Sequence, residues 1–263
     1  MELHQVVAIV TGGGRGFGRA SAEEILANGG KAMITDVNVH ELQAAGKELQ
    51  RKYGESNVCW DRQNVTEKDS FARAFAYAAK YFKQPVNVLV NNAGIAGDMT
   101  FYEPGSTNWE AVVDIDLVAL IRGTKHAITE FKRTLNGKEG VVVNLGSMAG
   151  LTPTPFGPEY AAAKAGVVGF TRSLYQLKKS DNIRCFCMCP GFAETNMGHQ
   201  ATVEIPEYTN MMGGLLPVKD VVNAFADGLR EAGNAGRVQR IMKKGTAYYR
   251  FPGDKALFPD SKL

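Results

Sequence analysis

A tyrosine and a lysine four residues apart, Tyr160 and Lys164, are the side chains of this sequence best suited to moving a proton. The Ala- and Gly-rich segment around them predicts a helix, so both side chains project from one face. A phenol has an ordinary pKa of about 10, and a neighbouring ammonium favours the phenolate and lowers that pKa. The pair could therefore act as a general acid or base. It could equally be a chance pairing on an amphipathic helix, because neighbours at this spacing are common.

A serine hydroxyl is expected beside this pair. Residues 141–145 form an apolar, β-branched run that predicts a strand ending just before Ser147. Ser147 could hydrogen-bond the oxygen of an alcohol or carbonyl that exchanges a proton with Tyr160. Such chemistry requires a cofactor, so a cofactor site upstream decides between catalysis and chance pairing.

A glycine-rich turn near the start of the chain predicts that cofactor site. Residues 6–11 predict a buried strand, the turn follows it, and a helix is expected up to Asn28. In this order backbone N–H groups and a helix N-terminus face a phosphate; the alternative is a merely tight turn. The expected dinucleotide contacts are Gly12, Arg15, Gly16, Phe17 and Gly18.

Asp36 follows the second predicted strand, residues 31–35. A carboxylate at this point can hydrogen-bond the adenosine ribose and repels a 2′-phosphate, which favours NAD over NADP. Arg15 acts in the opposite sense, because a guanidinium near the ribose could accept that phosphate. We give Asp36 the greater weight because it lies at the strand tip.

Strand-like and helix-like segments alternate along the chain. Further strands are expected at residues 57–63, 86–90, 183–189 and 238–242, and a long apolar helix at 109–135 that could meet a partner subunit. The pattern predicts a single α/β domain with a Rossmann-type doubly wound parallel sheet of about seven strands. Ligands of such sheets bind at the carboxyl ends of the strands, which favours catalysis over chance pairing. The residues expected at those ends include Asn64, Val65, Asn92, Ala93, Gly94, Ser147, Pro190 and Gly191.

The composition excludes several classes of protein. A net charge of +3 with scattered basic residues does not indicate nucleic-acid binding. No apolar run reaches the roughly 18 residues that a membrane span needs, and the first residues lack the basic segment of a secretory signal. Cys185, Cys187 and Cys189 alternate along one predicted strand, which is not the spacing of a metal or redox site. We expect these cysteines to be reduced and buried, and we expect no metal.

Taken together, these residues resemble the short-chain dehydrogenase/reductase family over residues 5 to 245, within the branch that contains 15-hydroxyprostaglandin dehydrogenase. The resemblance to the family rests on Thr11-Gly12 with Gly16 and Gly18, Asn91-Asn92-Ala93-Gly94, Ser147 with Tyr160 and Lys164, and Pro190-Gly191 with Thr195. The resemblance to the branch rests on the stretch from Ala149 to Ser173 and on Pro190-Gly191-Phe192. It implies hydride transfer between NAD and a substrate carbon, with Tyr160 as general acid/base and Ser147 polarising the substrate oxygen. Lys164 would bind the nicotinamide ribose and lower the pKa of Tyr160. The nicotinamide end would be held by Pro190, Gly191, Phe192 and Thr195.

Two positions depart from the family pattern. Asp116 stands where the family usually has an Asn that holds a water beside the lysine. A carboxylate could hold the same water, but its charge would weaken the effect of Lys164 on Tyr160, so we count Asp116 with the catalytic residues. Asn64 stands where an Asp usually faces the adenine, and its amide oxygen can still accept that hydrogen bond.

The expected substrate lid, residues 192–217, is apolar and adaptable because it is rich in methionine. It favours a lipophilic secondary alcohol or ketone, such as a hydroxy fatty acyl compound or an oxylipin; the alternative is that these methionines only pack onto the sheet. The expected substrate contacts are Ser147, Phe156, Tyr160, Phe192, Met197, Met211 and Met212.

The expected organisation is one catalytic domain over residues 1–250 and an irregular tail over residues 251–263. The last three residues, Ser261, Lys262 and Leu263, match a peroxisomal address read by an import receptor. A peroxisome or a glycosome-like organelle is therefore expected, with the cytoplasm as the alternative, and a homodimer or homotetramer. Two other functions stay open: an NADPH-dependent carbonyl reductase, because of Arg15, and a catalytically impaired NAD-binding protein, because of Asp116.

Overall fold

A computed structural model describes residues 1–97 and 101–254. Within these residues an eight-stranded sheet runs in the order β3-β2-β1-β4-β5-β6-β7-β8. All neighbouring strands are parallel except β7 and β8. The strands are β1 Val7–Thr11, β2 Lys31–Asp36, β3 Val58–Arg62, β4 Val88–Asn91, β5 Gly140–Leu145, β6 Ile183–Pro190, β7 Val238–Met242 and β8 Gly245–Tyr248.

Helices cover both faces of the sheet, as the alternation predicts. The helices are α1 Gly16–Ala27, α2 Val39–Tyr53, α3 Ser70–Phe82, α4 Asn108–Val113, α5 Leu120–Thr134, α6 Pro158–Ser173, α7 Leu177–Asp181, α8 Asn196–Glu204, α9 Pro206–Met211 and α10 Val218–Arg230. The doubly wound sheet predicted from the sequence is confirmed. The antiparallel strand β8 was missed because it is short and mostly exposed, with no buried run to indicate it.

The sheet is buried because its central strands are apolar on both faces, as parallel sheets require. One face packs against α1, α2 and α10 through residues such as Ile25, Leu42 and Phe225. The other face packs against α3 and α5 through Phe71 and Phe131. Cys59, Cys185, Cys187 and Cys189 are free and buried in this core, which agrees with the prediction.

The long helix predicted at residues 109–135 is interrupted. Its first part, α4, leads into a π-helical turn, Asp114–Ala119, before α5 begins. A π-helical turn accommodates an extra residue and often lies at a functional site. The apolar stripe did not predict this turn because one extra residue hardly disturbs the periodicity of so long a segment.

The chain after β8 packs back onto α6. The guanidinium of Arg172 lies 3.8 Å from the centre of the Phe251 ring, and it donates to Asp254 Oδ1 at 2.8 Å. These two residues belong to the segment expected to be an irregular tail. The terminal tripeptide, Ser261 to Leu263, lies outside the described residues. Among the described helices, none is both long and apolar enough to cross a bilayer.

Candidate active site

A cleft of about 840 Å³ opens at the carboxyl ends of the strands, between the loops that follow them and the lid helices α8 and α9. It brings together nearly all of the residues that the sequence singled out. The predicted residues that line it are Gly12, Arg15, Gly16, Phe17, Asp36, Asn64, Val65, Asn92, Ala93, Gly94, Asp116, Ser147, Phe156, Tyr160, Lys164, Pro190, Gly191, Phe192, Thr195, Met197 and Met212. Gly18 and Met211 do not line it.

Ser147, Tyr160 and Lys164 meet in the middle of this cleft. Ser147 follows β5 directly, and its Oγ accepts a hydrogen bond from the N–H of Ala149 at 3.2 Å. Helix α6 begins with Pro158, which suits a first helical position, and it presents Tyr160 and Lys164 on one face. The Lys164 ammonium lies 5.4 Å from the centre of the Tyr160 ring and donates to the Leu145 carbonyl at 3.1 Å.

Asp116 forms a buried ion pair with Lys164. Its Oδ2 lies 3.0 Å from the Lys164 Nζ, and the two side chains are 0% and 5% exposed. Its Oδ1 accepts a hydrogen bond from the N–H of Ile95 at 2.8 Å, so the carboxylate also fixes the loop after β4. The π-helical turn thus brings the carboxylate of Asp116 and the ammonium of Lys164 into direct contact, a contact that the sequence did not predict.

Burial and the neighbouring charges together shift the pKa values of these groups. It raises the pKa of Tyr160 above its ordinary value; Lys164 and the Ser147 hydroxyl lower it, whereas Asp116 raises it further. The lowering effect that the sequence predicted for Lys164 is present, but burial of Tyr160, which was not visible in the sequence pattern, outweighs it. Burial by itself lowers the pKa of Lys164, but the charges of Asp116 and Tyr160 raise it overall. Burial raises the pKa of Asp116, and Lys164 opposes that shift.

The glycine turn has the backbone that phosphate binding requires. Gly12 has φ +64°, a conformation that L side chains rarely adopt, and α1 starts at Gly16 with its free N–H groups facing the cleft. Asn92 Nδ2 donates to the carbonyls of Thr11 and Gly12 at 2.9 and 3.1 Å, which ties the turn to the loop after β4. Gly18 lies under the turn: a Cβ there would stand 2.3 Å from the Gly12 oxygen. Gly18 therefore allows α1 to pack closely against the turn, and it does not contact the cofactor cleft as the sequence predicted.

Asp36 and Arg15 lie at the end of the cleft where an adenosine ribose is expected. Asp36 Oδ2 accepts from the N–H of Gly14 at 3.1 Å, and its Oδ1 accepts from the N–H of Asn38 at 3.0 Å. Arg15 forms an ion pair with Glu41 at 3.1 Å. The sequence analysis missed Glu41, although its place in the first turn of α2, just after Asp36, could have indicated it.

Asn64 lies beside this end of the cleft. Its Oδ1 accepts hydrogen bonds from the Thr66 N–H at 3.1 Å and from the Thr66 hydroxyl at 2.9 Å. The amide oxygen that the sequence predicts to bond the adenine therefore already accepts hydrogen bonds within the loop after β3.

The opposite end of the cleft is aromatic. The Tyr208 ring stands edge-on to Phe156 and to Phe192, with centres 5.6 and 6.2 Å apart, and its hydroxyl donates to the Pro153 carbonyl at 2.9 Å. Tyr208 was not predicted from the sequence, although it lies four residues before Met212, which directly follows α9 and was predicted to contact the substrate. The assignment of Met211 to the substrate pocket is wrong, because this side chain points outward and is 71% exposed.

The comparisons with known proteins agree with this geometry. A family model described as short chain dehydrogenase matches residues 6–205. The chain belongs to this family. As a short-chain dehydrogenase it is an oxidoreductase of the alcohol dehydrogenase/reductase type with a nicotinamide cofactor, and the predicted family is confirmed.

The chain is similar in sequence to family members that have different names. The chain is 32% identical to 15-hydroxyprostaglandin dehydrogenase (NAD(+)) of Macaca fascicularis over 222 residues, 84% of this chain and 78% of that protein. It is 34% identical to 3-oxoacyl-acyl-carrier-protein reductase of Chlamydia muridarum over 191 residues, 72% of this chain and 75% of that protein. The crystal structure of levodione reductase has the same fold, with a TM-score of 0.81 at 24% identity, covering 92% of this chain and 98% of that chain.

Proposed function

We propose that this short-chain dehydrogenase transfers a hydride between NAD and a lipophilic secondary alcohol or ketone, with Tyr160 as the general acid/base. The observation that carries the proposal is the convergence of Ser147, Tyr160 and Lys164 in one cleft with the glycine turn. Three groups suited to proton transfer thus lie beside a backbone suited to a dinucleotide.

Each catalytic side chain has a separate task in alcohol oxidation. The substrate hydroxyl proton passes to the Tyr160 oxygen, while the Ser147 hydroxyl hydrogen-bonds the substrate oxygen and holds it in place. Lys164 stabilises the phenolate that must be present before the proton arrives. A nicotinamide held in this cleft would supply the acceptor for the hydride, with its electron pair, that leaves the carbon bearing the hydroxyl. Ketone reduction runs through the same positions in reverse, with Tyr160 as the acid.

The preference for NAD is supported by the charges at the ribose end. Asp36 presents a carboxylate at the strand tip, and Glu41 already pairs with the guanidinium that could have bound a 2′-phosphate. An NADPH-dependent carbonyl reductase is the second candidate, because Arg15 still lines the cleft and its side chain is 60% exposed. A rearrangement of this one ion pair would free it.

The preference for a lipophilic substrate is supported by the lid end of the cleft. Phe156, Phe192 and Tyr208 form an aromatic cluster there, and Met197 and Met212 line the same region. Aromatic and thioether side chains favour apolar ligands and adapt to their shape. Long-chain hydroxy acyl compounds and oxylipins are therefore the proposed substrate classes.

The proposal is tested by following the absorbance of reduced nicotinamide with purified protein, each cofactor and a panel of lipophilic secondary alcohols. We expect turnover with NAD on at least one alcohol and much less with NADP. Efficient turnover with NADP(H) alone would favour the second candidate. Cofactor binding without turnover on any alcohol or ketone would favour a catalytically impaired protein, in which Asp116 neutralises the effect of Lys164.

Two further expectations stay predictions. The apolar stripe of α4 and α5 is proposed to meet a second copy of the chain in a homodimer or homotetramer, which light scattering would test. A peroxisomal location, through Ser261, Lys262 and Leu263, is tested by whether removal of these three residues redistributes the protein.

A further inference from the structure

The described residues that line the cleft offer no free positive charge to a substrate. Among the described residues that line it, the only basic side chains are Arg15 and Lys164. Arg15 is paired with Glu41 at 3.1 Å, and Lys164 is paired with Asp116 at 3.0 Å. Arg15 belongs to the glycine turn, and Lys164 belongs to the helix that carries Tyr160.

Three carboxylates line the cleft instead, two of them in the lid. Asp114 of the π-helical turn and two lid residues, Glu194 and Glu204, line the cleft. In the part of the chain that the structure describes, none of the three forms an ion pair. Glu204 accepts a hydrogen bond at 2.7 Å from the amide of Gln200, which lies four residues earlier on α8. Like charges lining one cleft make its potential negative and repel an anionic ligand.

An apolar wall strengthens this effect. Phe156, Phe192 and Tyr208 form an apolar wall of the cleft, and a charged group packed against them would lose part of its solvation without gaining a partner. A neutral group would lose little. The same lining therefore favours an apolar chain or ring of a substrate and disfavours an ionised group at its end.

We infer that the substrate of this cleft carries no negative charge on the part that lies under the lid. An acyl substrate is taken as an ester or amide, not as a free carboxylate. The inference rests on the proposed function, because it specifies which lipophilic alcohols are turned over.

A matched pair of substrates tests the inference. A medium-chain hydroxy acid with its hydroxyl near the middle of the chain is compared with its methyl ester at constant NAD, near neutral pH, where the acid is ionised. We expect kcat/KM for the ester to exceed that for the acid by about fivefold or more at low salt. The gap should shrink as ionic strength rises, because mobile ions screen charges at a solvent-accessible cleft.

Two variants separate this charge effect from hydrophobicity. Glu204→Gln should narrow the ester-to-acid ratio by about twofold, because it removes one repelling charge. Glu55→Gln changes the net charge equally but lies exposed before β3, at the opposite end of that strand from the cleft, and should leave the ratio unchanged.

The outcomes distinguish this inference from the proposed function. Equal turnover of acid and ester, or faster turnover of the acid, would overturn the inference alone. An ester preference that neither salt nor Glu204→Gln alters would overturn it too, since hydrophobicity would then explain the preference. No turnover of either compound or of the wider alcohol panel, with NAD bound, would overturn the proposed function and this inference with it.

Discussion

The two ends of the cleft are built by different means. At the cofactor end the backbone itself forms the surface, and hydrogen bonds from Asn92 and to Asp36 fix its shape. At the substrate end, side chains form the surface: Tyr208 packs between Phe156 and Phe192, and one hydroxyl bond to Pro153 is the main polar tie. Backbone surfaces tolerate few substitutions, whereas packed side chains tolerate exchanges of similar volume. Substitutions at the cofactor end should therefore impair NAD binding, whereas substitutions at the substrate end should more easily change the substrate preference.

The largest effect is expected at a glycine of the cofactor end, and it is compared with a glycine that lies in open space. Gly12→Val should weaken NAD binding by at least about a hundredfold, because a Cβ at φ +64° would stand 2.9 Å from Asn92 Nδ2 and 3.0 Å from Ala93 Cα. Gly137→Val is the control: its φ is +79°, but a Cβ there meets nothing within 4 Å. Titration of nicotinamide fluorescence measures both variants. Equal NAD affinities of Gly12→Val and the parent protein would refute a backbone-built cofactor site.

A smaller effect is expected at the ribose end. Asp36→Asn keeps an oxygen for the N–H of Gly14 but removes the charge that repels a 2′-phosphate. The ratio of kcat/KM with NAD to kcat/KM with NADP should fall about tenfold. Asp61→Asn, an exposed aspartate on the neighbouring strand β3, serves as the control. A ratio that stays constant in Asp36→Asn would show that the carboxylate does not select the cofactor.

The ion pair between the two ends should affect pH dependence. Asp116→Asn removes a negative charge that raises the pKa of Tyr160, so that pKa should fall. Alcohol oxidation needs the phenolate, so the rising limb of kcat/KM for oxidation should move to lower pH by about one unit. Asp114→Asn, two residues away and not in contact with Lys164, should move it less. Superimposable profiles of Asp116→Asn and the parent would remove Asp116 from the mechanism.

The smallest effect is expected in the aromatic cluster. Tyr208→Ala should lower kcat/KM for a lipophilic alcohol about fivefold, through loss of apolar contact, and leave NAD affinity unchanged. Met211→Ala removes an exposed side chain from the same helix and should change neither quantity. If Met211→Ala impaired turnover more than Tyr208→Ala, the orientation assigned to α9 would be wrong.

The sequence predicted best what backbone geometry and topology determine. The glycine turn, Asp36 and Ser147 follow strands of a parallel sheet, so a single rule about strand ends places them in one cleft. Tyr160 and Lys164 needed only the period of a helix. The eight-stranded order was nearly predictable for the same reason, and only the short strand β8 lacked a pattern.

The sequence predicted least where tertiary packing decides. The orientation of the short helix α9 is set by its neighbours, so Met211 was assigned to the pocket and Tyr208 was missed. The π-helical turn brings Asp116 against Lys164 although the apolar periodicity around it looks unbroken. The direction of the Tyr160 pKa depends on burial, which no local pattern reports.

Tyr160→Phe tests most directly whether the Tyr160 hydroxyl carries the proton of the reaction. The substitution keeps the ring and removes only the hydroxyl, so the cleft should keep its shape and NAD should bind as in the parent protein. Measured with an alcohol that the parent protein oxidises, kcat should fall at least about a hundredfold, as expected when a general acid/base is lost. Turnover by Tyr160→Phe at the parent rate, with NAD bound, would contradict the account.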